Sequence, residues 1–117
     1  MKFVDKEKKT NQSELKEMAS NSFDNLVKAV VDITAEIMVV DAEMHSDQEQ
    51  YLLEKGYKQK DIWGINIYPD AEEDKRVEFD SMINLRPSQG NRSRGIDNPE
   101  IREKIIKIVN NLVDWNE

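Results

Sequence analysis

Three arginines, Arg86, Arg92 and Arg94, stand in the stretch "NLRPSQGNRSRGI" (84–96), which holds no carboxylate in a chain of formal net charge -7. A guanidinium presents a planar fork of donors that matches the oxygens of a phosphate or carboxylate. Ser88, Gln89, Asn91 and Ser93 can add neutral hydrogen bonds beside it. The stretch also runs toward the start of a helix, where free backbone N–H groups favour an anion. The chemistry implied is capture of an anionic ligand, with a phosphate-bearing molecule such as a nucleotide or a short nucleic-acid segment as the expected class. The competing explanation is structural. Pro, Ser, Gly and Asn build turns, and arginines in an acidic protein pair readily with its own carboxylates. The spacing matches neither the phosphate loop nor the dinucleotide fingerprint.

A second constellation is Asp41, Glu43 and His45 in "DAEMH". On a strand, alternation puts all three on one face at steps of about 7 Å, so they converge only with help from another strand, for which Asp32 or Asp80 are candidates. Carboxylates with one imidazole suit magnesium, manganese or zinc, and His45 can serve as general acid or base. Against this, 24 Asp and Glu residues make carboxylates two apart commonplace, and the single histidine leaves no HExxH motif. Without cysteine there is no thiolate nucleophile. Ser81, Ser88 and Ser93 do not stand in a GxSxG elbow. Trp63 and Tyr68 could stack on a base, although packing beneath a helix is the commoner role of a strand tryptophan.

The elements that must position these groups follow from periodicity. A chain of 117 residues fits one domain. Residues 1–12 are charged and aperiodic, so a loose arm is expected, with Phe3 and Val4 able to begin an edge strand. Leu15, Met18, Ala19, Phe23 and Leu26 keep helical spacing after Ser13, which is suited to cap the start, predicting a helix over about 13–21. "LVKAVVDI" (26–33) and "IMVVDAEMH" (37–45) read as a hairpin. Ser46 and Glu49 form a capping box for a helix over about 47–55, which Gly56 would close in a left-handed conformation. "IWGINIYP" (62–69) and "RVEFDSMINL" (76–85) supply two further strands. Asp97 or Asn98 caps a last helix over about 99–115, with Pro99 in its first turn and Ile101, Ile105, Ile108, Val109 and Leu112 as its buried stripe. Trp115, near its end, could join a dimer contact.

The order α-β-β-α-β-β-α predicts an α+β domain over 13–117, with a mainly antiparallel sheet of about four strands covered by three helices on one face. The other face would be polar and would carry the site. No stretch reaches the roughly 18 apolar residues of a membrane helix, nothing resembles a signal peptide, and cysteine is absent. A cytosolic protein without a membrane partner is therefore expected. The acidic balance excludes a broad basic face for nucleic acid.

The blocks "LVKAVVDI", "DAEMHSDQE", "LLEKGYKQKDIWGINIYPD", "VEFDSMINLRPSQGNRSRGI" and "PEIREKIIKIV" together resemble a family of small archaeal and bacterial proteins of unknown function, over residues 23–113. That resemblance names no activity. It implies that the polar loop is constrained by something other than core packing, and it takes in "DAEMH" while leaving out 1–12. The leading expectation is an anion-binding protein using Arg86, Ser88, Gln89, Asn91, Arg92, Ser93 and Arg94. One alternative is a metal-assisted phosphoester hydrolase in which Asp41, Glu43 and His45 hold a divalent ion; no other cofactor is expected. Another is an interaction module or homodimer docked through the arginine loop.

Overall fold

The computed structural model describes residues 1–22 and 24–117. Phe23, counted in the apolar spacing that predicted the first helix, lies outside them. Strands β1 (Lys2–Val4), β3 (Val27–Asp32), β4 (Ile37–Val40), β5 (Ile62–Ile67) and β6 (Val77–Glu78) form one antiparallel sheet in the order β1-β4-β3-β5-β6. Two further strands, β2 (Thr10–Asn11) and β7 (Val113–Asp114), make a small parallel pair. Helices α1 (Gln12–Ser20), α2 (His45–Glu54) and α3 (Pro99–Leu112) complete an α+β fold. The sheet thus has five strands where about four were expected. The extra one is β1, whose Val4 is fully buried and pairs with Met38.

The helices are divided between the two faces, contrary to the expected one-sided cover. Leu15 and Ala19 of α1 and Ile105, Ile108, Val109 and Leu112 of α3 pack on Val27, Ala29, Val31, Met38, Val40, Trp63, Ile65 and Ile67. On the opposite face Leu52 of α2 packs on Val30, Ile37, Val39 and Ile62. The cause is legible in β4. Its four residues "IMVV" are all buried, and a strand apolar on both sides needs cover on both. Burying Leu52 alone stabilises the docking of α2 by about 1.5–3 kcal/mol.

Local rules explain several boundaries. The β3–β4 hairpin closes because the Asp32 carboxylate accepts from the N–H groups of Thr34 and Ala35, while Glu36 takes a left-handed φ of 58°. Gly56 follows α2 at φ 95°, as its position implied. Asn98 caps α3 by accepting from the Glu100 N–H, with Pro99 in the first turn. Helix α1 is capped by Asn11, which accepts from the Glu14 N–H, and not by Ser13, which falls inside the helix.

Two predicted strands end early. β4 stops at Val40 because Asp41 turns into the left-handed region at φ 69°. β6 is only two residues long, since Ser81 caps a single 3-10 turn over Met82–Asn84. Beyond that turn the pairing of β5 passes to a side chain. The Asn84 amide accepts from the Gly64 N–H at 2.8 Å and donates to the Gly64 carbonyl at 2.9 Å.

Candidate anion-binding cleft

The sheet face beneath α2 carries a polar row. Lys28 of β3 lies directly opposite Asn66 of β5, and Asn66 directly opposite Glu78 of β6. Cross-strand partners share a face, so a cation, an amide and a carboxylate line up across three strands. At about 4.8 Å per strand, Lys28 and Glu78 stand roughly 10 Å apart along the backbone. Asn66 Nδ2 donates to Glu78 Oε1 at 2.8 Å, and the Tyr68 hydroxyl donates to the same oxygen at 3.1 Å. Asn66 is only 6% exposed, and its Oδ1 has no hydrogen-bond partner.

The first turn of α2 forms one wall. His45 is buried, and its Nε2 lies 2.7 Å from the Ile65 carbonyl. A carbonyl can only accept, so Nε2 carries the proton and Nδ1 of the neutral ring is a free base. Burial holds the His45 pKa below its usual value, with Lys28 and Arg94 acting in the same sense and the Ile65 carbonyl and Asp80 opposing. No side chain caps α2. Ser46, expected as the cap, falls inside the helix, and Glu49 turns instead toward Arg86. The Asp47 N–H already donates to the Met44 carbonyl, so only the His45 and Ser46 N–H groups are without a partner among the described residues.

Arg94 and Asp80 form the other wall, paired at 2.8 Å and each about half exposed. An ion pair this open contributes at most about 1 kcal/mol, so Arg94 can exchange partners at little cost. The space enclosed is about 530 Å³, within the range of small-molecule sites. Met44 and Met82 stand exposed at its rim.

The arginine loop divides between structure and surface. Arg86 is buried. Its guanidinium donates to the carbonyls of Ile83 (3.0 Å), Gln59 (2.7 Å) and Ile62, and lies 4.6 Å from the Trp63 ring centroid. Glu49, at 3.7 Å, is too far for a hydrogen bond and acts on it through charge alone. Burial lowers the Arg86 pKa and Glu49 raises it. Asn91 is buried too, donating to the carbonyls of Asn84, Ser93 and Gly95 and accepting from the Asp97 N–H. Both residues, expected as ligand donors, have those donors occupied by the chain's own backbone. Ser88, Gln89, Arg92 and Ser93 are exposed and stand outside the cleft. Ser93 Oγ and the Arg92 N–H both bind the Asp97 carboxylate, holding its pKa low. Of the three arginines, only Arg94 reaches the cleft.

Asp41 and Glu43 line a second hollow with Met18 and Asn21, which adjoins the cleft through Asp24, Leu26 and Lys28 and does not include His45. The turn at Asp41 breaks the alternation that would have aligned them with His45. Among the described residues no three His, Cys, Asp or Glu side chains are grouped to hold a metal ion. Trp63 packs in the α1 and α3 core. Ser81 is buried and accepts from the Ile83 N–H. Lys28, Asn66 and Glu78 were not among the expected site residues. Their signal was present: a lysine inside "LVKAVVDI" and an asparagine inside "IWGINIYP", polar interruptions of otherwise apolar strands.

Among the described residues no helix is long and apolar enough to cross a membrane. No curated protein and no solved structure matches the chain. A family match does exist, and it begins at Val4, so it takes in most of the segment that the resemblance had left out. Residues 4–112 fit the family described as Protein of unknown function (DUF5674), and the chain belongs to that family.

Proposed function

We propose that the protein binds a small anionic ligand, carrying a phosphate or carboxylate, in the cleft between the first turn of α2 and Arg94. The observation that carries this is the convergence on one hollow of Lys28 from the sheet, Arg94 from the loop and a helix start with no side-chain cap. Lys28 makes no ion pair among the described residues, which leaves its ammonium available. Charge-assisted hydrogen bonds from two cations, added to helix-start amides, are the usual means of holding an oxyanion. The anion expected from the arginine loop is thereby kept, but its donors change. Lys28 and Arg94 replace the set centred on Arg86, Asn91 and Arg92. Metal-assisted hydrolysis has no comparable support, because Asp41 and Glu43 line another hollow.

Titration calorimetry with ethyl phosphate tests the assignment. Lys28→Ala is expected to weaken binding roughly tenfold or more, the loss of one charge-assisted bond. Arg94→Ala should weaken it less, since Asp80 already competes for the guanidinium. Arg92→Ala, outside the cleft, should leave it unchanged. Equal affinity in wild type and Lys28→Ala would sink the proposal.

A further inference from the structure

We propose that the ligand of this cleft is a zwitterion: a small molecule carrying a primary ammonium a few bonds from its phosphate or carboxylate, with the ammonium held at the Glu78 end. The inference rests on the anion-binding proposal above and names the rest of the molecule.

Three observations at that end point to a donor with positive charge. Lys28 and Glu78, opposite in sign and on one sheet face with only Asn66 between them, do not pair with each other. The floor therefore holds two separated and opposite charges, and a ligand that bridges them must be bipolar in the reverse sense.

Next, acceptors are in surplus. Glu78 Oε1 already accepts from Asn66 and Tyr68, while Oε2 makes no hydrogen bond among the described residues. Beside it, the Asn66 Oδ1 is a buried acceptor without a donor. A buried polar atom left unpaired costs about 1–3 kcal/mol, so a ligand that supplies a donor recovers that loss. An ammonium brings three N–H donors and no acceptor. It can satisfy Glu78 Oε2 directly, and Asn66 Oδ1 as well once the Asn66 side chain shifts to expose that oxygen.

Finally, the surroundings favour a cation over a neutral donor or a metal. Asp24 also lines the cleft, while Asp80 is taken up by Arg94; Tyr68, its pKa raised by burial and by its bond to Glu78, remains a protonated donor that keeps the Glu78 carboxylate oriented. The carboxylates are not grouped for a metal ion. A charge of one unit spread over three short donors suits them better. At the other end Lys28 and the α2 start would receive the anionic group. The roughly 10 Å between the Lys28 and Glu78 backbones, less the reach of two side chains, leaves room for a short linker only.

Calorimetry with two matched probes tests this. Ethyl phosphate carries the anion alone, and phosphoethanolamine adds the ammonium. Wild-type protein is expected to bind phosphoethanolamine roughly tenfold tighter, the worth of one charge-assisted bond. Glu78→Gln is exposed, so it should fold normally, and its carbonyl still accepts from Asn66 and Tyr68. It should abolish the preference by weakening phosphoethanolamine alone, whereas ethyl phosphate, meeting one negative charge fewer in the cleft, should bind at least as tightly as to wild type. Propionate against β-alanine repeats the comparison with a carboxylate and identifies which anion the cleft prefers. Equal affinities for the matched probes in wild type, or a preference that survives in Glu78→Gln, would overturn the zwitterion proposal. Failure of both anions to bind, or binding undiminished in Lys28→Ala, would instead overturn the anion proposal on which it rests.

Discussion

Arg86 and Arg94 are eight positions apart in one loop and have opposite fates, decided by what lies within reach of each guanidinium. Arg86 meets the carbonyls of Ile62 at the start of β5, of Gln59 in the turn before it and of Ile83, so its fork is satisfied internally; Arg94 meets only an open carboxylate. Arg86→Met should therefore destabilise the protein by about 3 kcal/mol or more, because three carbonyls and a largely buried Glu49 lose their cation. A urea unfolding midpoint close to wild type would contradict that. His45 makes a second prediction. Its folded pKa is depressed below 6.5, so between the folded value and 6.5 the unfolded chain binds the proton and the folded chain does not. Stability should rise with pH through that window and fall as the solution is acidified below pH 6.5, by at most about 1.4 kcal/mol per pH unit from one group. As the chain has a single histidine, subtracting the pH profile of His45→Gln from that of wild type isolates the effect. A flat difference from pH 5 to 6.5 would mean the imidazole is not held neutral. Sequence made His45 conspicuous, but its partner is a carbonyl of β5, and no rule of spacing along "DAEMH" could have named it.

At the scale of elements, what was legible depended on whether the deciding contact was local. Helix α3 was readable because its cap, its proline and its apolar stripe all lie within "NPEIREKIIKIVNNL". Gly56 and the β3–β4 hairpin were readable for the same reason. The start of α2 was not, since Glu49 leaves the capping box for Arg86 on a distant loop. Nor was the end of β6. "RVEFDSMINL" alternates like a long strand, yet the chain leaves the sheet after Glu78 because Asn84 bonds Gly64, twenty residues away. The close approach needs glycine at position 64: a Cβ there would stand 2.6 Å from Ser81 Cβ and 2.7 Å from Ser81 Oγ. Gly64→Ala should cost about 1–3 kcal/mol through overpacking. Ser81→Gly should cost less alone, losing the cap on Ile83. Combined, the two should cost clearly less than their sum, because the atom struck by the new methyl is gone. Additive costs in a double-mutant cycle would rule out this contact as the reason for glycine.

The whole molecule is closed by a contact between segments far apart in sequence. β2 and β7 pair in parallel, Thr10 with Val113 and Asn11 with Asp114, so the stretch after α3 holds the stretch before α1. Asn11 is also the cap of α1, and Glu14 in its first turn is ion-paired with Lys2 of β1 at 2.7 Å. Lys2 keeps the Glu14 carboxyl below its usual pKa. The N-terminal segment is thus tied to β4, α1 and β7 at once; Phe3 and Val4 hinted at the edge strand, but the aperiodic charges gave no means of foreseeing the other two ties. The five-stranded sheet pairs without β7, which gives the α1 and α3 core one buried side chain, Val113, with Trp115 packed against it. Deleting residues 113–117 should therefore loosen one corner and spare the rest. Losing the burial of Val113 removes about 1.5 kcal/mol, which corresponds to roughly tenfold faster hydrogen exchange in β2 and the first turn of α1 if that corner opens as a unit. Amides of β3 and β5 should exchange at wild-type rates, and the cleft, built on those strands and α2, should keep its affinity for ethyl phosphate. Exchange accelerated equally in β5 would mean that the corner and the sheet open together, and that the support of the cleft extends to the far end of the chain.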